Sequence, residues 1–424
     1  VLQHVVIVTD TLSVDGGSAK VALGSALALA ERGLQVTVFA AAGQPSDELA
    51  ACCNVRVIST GQGESLASRN RLRGALRGLW NRTASVKMNA LLATLDPQQT
   101  VVHVHSWTKA LSSSVVASIL RAKFPLVLTL HEYFTVCPTG CLYLHRDRKV
   151  CTLRPMSLAC ITKDCDSRSY AFKLYRVLRG WIQQYAGRIP SGVGNFITVS
   201  QFSQLVLEPL LPVRRFHPVA NPVDAAHGPR SVAESNAGFV FVGRLSAEKG
   251  GLLLAEAAKL AGVEVTFVGD GPERAAIERA NPQATVTGWV DRDSVLTHLR
   301  AARALVVPSL WYETLGLVVL EAAALGTPAI VPRDTAPADL VRSGETGLSF
   351  ARGDVLELAA QLRRLKDDAL VGRMSRATYD TFWSNPSTMN AHIGRLLTTY
   401  EDVLGVPSGL KNIRYHNEPS AVSA

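Results

Sequence analysis

Short, unbroken runs of Val, Ile, Leu and Ala alternate with helical stretches along this chain, and the alternation restarts once near the middle. His4–Thr9, Gln35–Ala40, Val55–Ile58, Thr100–His105, Leu126–Leu130 and Asn195–Val199 read as one set of strands. Gly238–Val242, Val263–Val268, Ala284–Thr287, Ala304–Val307 and Ala329–Val331 read as a second set. A strand that is apolar at successive positions has both faces covered, the condition of a parallel sheet between two layers of helices. The alternation requires right-handed crossovers with helices on both faces of each sheet. A proline-containing, hinge-like stretch, Phe216–Pro229, separates the two runs. The expectation is an α/β chain of two doubly wound domains facing a cleft, with ligands at the carboxyl ends of the strands.

The length agrees: 424 residues suit two domains of about 200 residues each. With 47% hydrophobic residues the chain as a whole is not disordered. No run of about 18 uninterrupted apolar residues occurs, and the longest candidate, Leu315–Pro332, carries Glu321 in its middle. The strand-like run His4–Thr9 leaves no room before it for a signal peptide, so the expected location is cytoplasmic. Charge is unevenly placed. Residues 60–190 hold 19 Lys and Arg against 6 Asp and Glu, whereas the rest of the chain is slightly acidic. Such a block attracts nucleic acid, phosphorylated substrates or an anionic membrane.

Three motifs fall at strand ends. Gly16 and Gly17 follow the first strand and precede a helix expected from about Ala19, where a bare backbone and free helix N–H groups suit an anion. An ordinary strand–helix turn reads equally well, and the three-glycine dinucleotide fingerprint is missing. Arg244 and Lys249 flank the next turn, close enough to share one pyrophosphate, although a solvated helix start would look the same. Glu313 and Glu321 stand eight residues apart, about two helical turns, in an otherwise apolar segment. A carboxylate among Leu, Val and Ala is costly to bury without a partner, which favours a ligand over a structural ion pair.

Together these motifs resemble the family 4 retaining glycosyltransferases, which have the GT-B fold of two Rossmann-like domains. The resemblance runs over residues 1–400 and adds Gly269 to Pro272, the turn Gly288 to Val290, and Ala322 with Gly326 to Pro328. It implies that Arg244 and Lys249 hold the diphosphate of a nucleotide-sugar donor, with Gly16, Gly17 and Gly271 lining its site. It implies that Glu313 and the following Thr314, Leu315 and Gly316 meet the donor sugar, that Glu321 binds the ribose, and that the base lies near Val290. His131 matches the family's active-site histidine; read alone it is a lone histidine at a strand end. His103 and His105 are further candidates on the acceptor side. The implied acceptor is a glycan or a lipid-linked carbohydrate, as in cell-surface glycan synthesis. The implied domains are an acceptor domain 1–215 with a Cys-rich insert 131–167, a donor domain 216–380, a helix 381–404 crossing back to the first domain, and a tail 405–424.

No catalytic metal is expected. Asp291 with Asp293, and Asp164 with Asp166, fit an Asp-x-Asp string, but the first reads as a helix cap and the second lies among cysteines. Cys137, Cys141, Cys151, Cys160 and Cys165 fall within 29 residues. A structural zinc is the leading reading, with Cys137, Cys151, Cys160 and Cys165 as the set the resemblance implies; an iron–sulfur cluster and unligated thiols stay open. Two basic, aromatic stretches, Ser68–Leu95 and Tyr170–Arg188, point to peripheral attachment at the inner, anionic face of the cell membrane, with solvated helix faces as the alternative. A zinc-containing nucleic-acid-binding protein would leave Glu313 and Glu321 unexplained, so no nucleic-acid partner is expected. A GT-B epimerase or phosphorylase is a closer rival, although the latter's cofactor lysine is not identifiable.

Overall fold

A computed structural model describes residues 1–14, 16–64, 70–211 and 214–405. The first domain is built on β1 (His4–Thr11), β2 (Gln35–Ala42), β3 (Val55–Ser59), β4 (Thr100–Val104) and β5 (Leu126–Thr129). A small antiparallel hairpin, β6 (Tyr143–Leu144) and β7 (Lys149–Val150), stands apart in the Cys-rich segment. β8 (Asn195–Thr198) and β9 (Arg215–Pro218) complete a seven-stranded parallel sheet in the order β3-β2-β1-β4-β5-β8-β9. The second domain holds β10 (Phe239–Val242), β11 (Val265–Val268), β12 (Thr285–Gly288), β13 (Ala304–Val306), β14 (Ala329–Pro332) and β15 (Gly347–Phe350). Its parallel order is β12-β11-β10-β13-β14-β15.

The central strands show why their sequences do not alternate. In β1, Val6 and Val8 enter the core on one face of the sheet while Val5 and Ile7 enter the core on the other. β10 does the same, with Phe239 and Phe241 on one side and Val240 on the other. The two-residue period is present, but both faces are dry.

Besides the hairpin β6–β7, two strands fall outside the expected set. β9 has only a half-buried or exposed pattern and ends in Pro218, as suits an edge strand that pairs on one side alone. β15 also lies at an edge, and at Gly347 a Cβ would come within 2.2 Å of the Ala329 carbonyl oxygen, so close pairing with β14 needs the glycine.

The chain ends by returning to its first domain. Helix Met389–Leu404 buries Ile393, Leu396 and Tyr400 in the core that also holds Val5, Ile7 and Leu29. Gly24 makes room for it, since a Cβ there would lie 2.7 Å from Met389 Cε. Helix Asp368–Ser384 stays with the second domain through Val371 and Met374. Of the expected tail 405–424, Gly405 caps the last helix and the rest lies outside the described residues. No helix among the described residues is long and apolar enough to cross a membrane.

Candidate active site

Each sheet reverses its strand order once, between β1 and β4 and between β10 and β13. Loops leaving the carboxyl ends of such strands diverge and open a crevice. Most of the residues singled out in the sequence lie on these loops.

In the second domain, Lys249 Nζ donates to Glu313 Oε1 at 2.5 Å, linking the loop after β10 to the loop after β13. Ser309 Oγ and Trp311 Nε1 reach the same oxygen at 3.0 and 3.2 Å. No donor among the described residues reaches Oε2. Burial pushes the Glu313 carboxyl up, but the Lys249 charge and these hydrogen bonds outweigh it and hold the group below its ordinary range. Lys249 also lies 5.2 Å from the centre of the Trp311 ring. Arg244 is exposed and, among the described residues, has no ion-pair partner.

Glu321 sits on helix Leu317–Leu325, which begins at Gly316 in the left-handed region (φ 82°). Burial raises its pKa, against the charges of Arg292 and of Lys20 from the other domain. Among the described residues it forms no ion pair; Arg292 instead meets Asp224 at 3.3 Å. A half-buried carboxylate is therefore held near cations without being matched to one. Val290 packs on the second-domain core, and Trp289 beside it is 68% exposed.

Gly271 has a structural duty. A Cβ there would fall 2.3 Å from the Leu245 carbonyl oxygen, and one at Gly269 would fall 2.0 Å from that of Gly243. These glycines let the loop after β11 lie directly on the loop that carries Arg244. Gly250, left-handed at φ 72°, likewise passes against the Pro308 carbonyl. Asp291 caps helix Arg292–Arg300 by accepting from Ser294 N at 2.8 Å.

In the first domain, Gly16 opens helix Gly17–Glu31, and a Cβ on Gly17 would lie 3.2 Å from Leu317 Cδ1 across the crevice. His131, just past β5, hydrogen-bonds through Nε2 to His105 Nδ1 at 3.0 Å, and its carbonyl accepts from Thr314 Oγ1 at 3.0 Å. Thr314 is thus a bridge between the domains, and Ser200 Oγ donates to its carbonyl at 2.6 Å. Burial, with a smaller push from the His392 charge, takes the His131 pKa down to about 3. At neutral pH His131 is an uncharged hydrogen-bonding group.

His103 does not reach the crevice. It is fully buried, with Nδ1 on the Tyr400 hydroxyl at 2.7 Å and Nε2 on Thr129 Oγ1 at 2.6 Å. The side chain at the middle of a dry strand faces inward, so the acceptor-side expectation for His103 is corrected to a buttress between the sheet and the returning helix. His105, by contrast, lines a cavity of about 70 Å³ together with His131, Asp10, Trp107, Lys109 and Glu132.

The sequence reading passed over Asp10 and Lys109. Asp10 accepts backbone N–H bonds from Lys109, Ala110 and Leu111 at 3.0, 2.8 and 2.9 Å and fixes the loop after β4. Their only signal is position, at the ends of the two strands that flank the switch point.

Two sets of close contacts involve the cysteines. Cys137 and Cys141 share Thr139 Oγ1 at 3.3 and 3.5 Å, so Cys141 is not simply spare. Cys160 and Cys165 face the buried Lys173, whose Nζ lies 3.6 and 3.1 Å from their sulfurs. Among the described residues no group of three or more His, Cys, Asp or Glu is disposed to hold a metal ion. The thiols of the expected zinc set, Cys137, Cys151, Cys160 and Cys165, lie near enough to act on one another's charge, with the Lys173 ammonium against Cys160 and Cys165. Asp164 and Asp166 are committed to Arg146 and Arg176.

Comparison with known proteins agrees with this architecture. Residues 16–189 match the family described as "Glycosyl transferase 4-like domain", and residues 236–368 match "Glycosyl transferases group 1". The chain is 34% identical over 195 residues to a glycogen synthase of Mycobacterium tuberculosis, covering 41% of this chain and 47% of that protein. It is 32% identical over 202 residues to a GDP-mannose-dependent alpha-mannosyltransferase of Corynebacterium glutamicum, covering 46% of each. The matches thus span about half the length of these curated relatives. Among solved structures, sucrose-phosphate synthase from Thermosynechococcus elongatus superposes with a TM-score of 0.67 at 18% identity, over 95% of this chain and 99% of that one. HepE from Anabaena, solved in complex with UDP-glucose, gives 0.65 at 15% identity over 94% and 99%. Two parallel-sheet domains give this chain the GT-B fold, and each domain is similar to a glycosyl transferase family over most of its length.

Proposed function

We propose that the chain is a retaining glycosyltransferase that moves a sugar from a nucleoside-diphosphate donor to the hydroxyl of a glycan or lipid-linked acceptor. The observation that carries this reading is the convergence of Lys249, Glu313 and His131 on one crevice, tied across the domains by Thr314. A relative named for GDP-mannose and a neighbour solved with UDP-glucose support the donor class.

In this reading Arg244 and Lys249 neutralise the diphosphate, so that Lys249 exchanges part of its contact with Glu313 for phosphate oxygens. Glu321 accepts from the ribose hydroxyls, and the base rests by Trp289 and Val290. Glu313 Oε2 and the backbone of Thr314–Gly316 face the donor sugar. The bond from the anomeric carbon to the phosphate oxygen breaks as the acceptor oxygen bonds to the same face of that carbon. The acceptor proton passes to the departing phosphate, and no enzyme nucleophile is required. Neutral His131 orients the sugar by hydrogen bonding. Positive charge on the diphosphate comes from side chains, so no catalytic metal is assigned. The acceptor enters through the first domain, beside Lys109 and Glu132, with the protein at the inner face of a membrane when that acceptor is lipid-linked.

The test is turnover of a panel of nucleotide sugars, with the anomeric configuration of the product read by NMR. Retained configuration in a transferred sugar supports the reading. An inverted product overturns retention, and an epimerised sugar without transfer points to the GT-B epimerase.

A further inference from the structure

Helix Tyr170–Tyr185 is turned opposite to an ordinary surface helix. Its cations point inward. Lys173 is buried against Cys160 and Cys165, Arg176 pairs with the buried Asp166 at 3.1 Å, and Arg179 donates to the Thr108 carbonyl at 3.0 Å beneath the Phe134 ring. Its outer face carries Tyr170, Leu174, Leu178, Trp181 and Tyr185, exposed by 36, 43, 44, 46 and 75%. Steps of four, four, three and four residues place all five on one stripe. The basic aromatic stretch of the sequence is therefore not a solvated charged face: its charges are used inside and its apolar side meets water.

Helix Arg71–Leu79 lies beside it, joined by the Tyr175 hydroxyl donating to the Ala75 carbonyl at 3.0 Å. Leu72 and Leu76 on that helix are 71 and 58% exposed. An apolar patch of this extent, without a partner among the described residues, marks an interaction surface. Its surroundings are of one sign: residues 70–95 contain five Lys and Arg, residues 167–190 contain another five, and neither segment has an Asp or Glu. Arg71, Arg73, Arg168 and Arg188 are exposed among them.

We infer that the outer faces of these two helices form a docking surface for an anionic lipid bilayer. Exposed Leu side chains suit the acyl boundary, Trp181, Tyr170 and Tyr185 suit the headgroup level, and the carboxylate-free arginines suit anionic headgroups. A second copy of the chain is the poorer occupant, because it would set the same cations against each other. The inner side of helix Tyr170–Tyr185 braces Thr108 and Phe134, which line the cavity at His131, so the docked face backs onto the acceptor side of the crevice. The purpose of docking, delivery of a lipid-linked acceptor, rests on the proposed transferase function; the binding itself does not.

Sedimentation of the full chain with phosphatidylcholine vesicles, with and without phosphatidylglycerol, tests this. Binding is expected to the anionic vesicles alone and is released by salt. The pairs Trp181→Ser with Tyr185→Ser, and Leu72→Ser with Leu76→Ser, each weaken partitioning by about tenfold or more. Melting temperature and donor hydrolysis stay unchanged in both, since all four side chains are solvent-facing. Equal binding to neutral and anionic vesicles, or none to either at low salt, overturns the inference. So does self-association in light scattering that these variants abolish without vesicle binding. Donor hydrolysis on the same preparation separates the two proposals: turnover without vesicle binding removes only the docking surface, and vesicle binding without turnover removes only the transferase reading.

Discussion

Lys249 Nζ and Glu313 Oε1, 2.5 Å apart, join two loops that the second sheet brings together only because β10 and β13 are neighbours. The pair fixes the ammonium at the crevice and leaves Glu313 Oε2 without a donor among the described residues. Glu313→Gln is expected to lower kcat by about 100-fold, as for loss of one preorganised charged group, while Glu321→Gln mainly raises KM for the donor. Steady-state kinetics with the best donor check both, and an undiminished kcat in Glu313→Gln would refute its placement at the sugar.

His105 acts on His131 through their 3.0 Å hydrogen bond. His105→Phe keeps a ring in the stack, where its centre lies 3.9 Å from that of His103, but removes the nitrogen. The expected result is a fall in kcat of about tenfold, the worth of one hydrogen bond, with donor KM unchanged. His105→Gln should recover part of it. A variant that changes only stability would reduce His105 to packing.

Acid should destabilise the first domain before it affects most carboxylates. Burial takes His131 to about 3 and His392 to about 4, and holds His103 and His105 well below the ordinary 6.5. Between the folded and unfolded values the unfolded chain binds more protons, so stability falls as pH falls. This contribution is complete above about pH 6.5 and drains below it, at up to about 1.4 kcal/mol per pH unit for each group. The depressed Glu313 carboxyl adds a second loss, beginning only below the ordinary carboxylate value of 4.5. Melting temperature against pH should decline through the upper window, and less steeply in His392→Gln. A flat profile between about pH 7 and pH 5 would contradict it.

Gly271→Ala separates packing from donor contact. With its Cβ 2.3 Å from a carbonyl oxygen, the variant should lose about 2–4 kcal/mol of stability, read by denaturant unfolding. Unchanged stability with a raised donor KM would return Gly271 to the binding site.

Chelation tests the cysteines and the catalytic centre together. With Lys173 between Cys160 and Cys165, the expected outcome is a chain without zinc by elemental analysis, whose melting temperature and transfer rate EDTA does not change. One zinc per chain, lost in Cys165→Ser, would show the thiols regrouping around metal. Activity lost in EDTA and restored by magnesium or manganese would place a metal at the diphosphate.

The sequence alone determined the two parallel sheets, because runs such as Val5–Val8 cannot be soluble on either face and must be covered on both. It also placed Gly16, Lys249 and Glu313 on loops at the crevice, since each follows a central strand and strand ends are local features. Edge strands were less legible, since β9 and β15 owe their conformation to pairing partners far along the chain rather than to their own side chains. Facing was not legible at all. His103 and His105 are two residues apart, one in β4 and one just past its end, and one is locked between Thr129 and Tyr400 while the other reaches His131. Lys173, Arg176 and Arg179 read as part of a basic, membrane-facing stretch and lie inward, because Cys165, Asp166 and the Thr108 carbonyl wait there for them. Only the tertiary structure settles such choices. A charged side chain goes where the partners that offset its desolvation are, and those partners come from segments whose meeting no local pattern records.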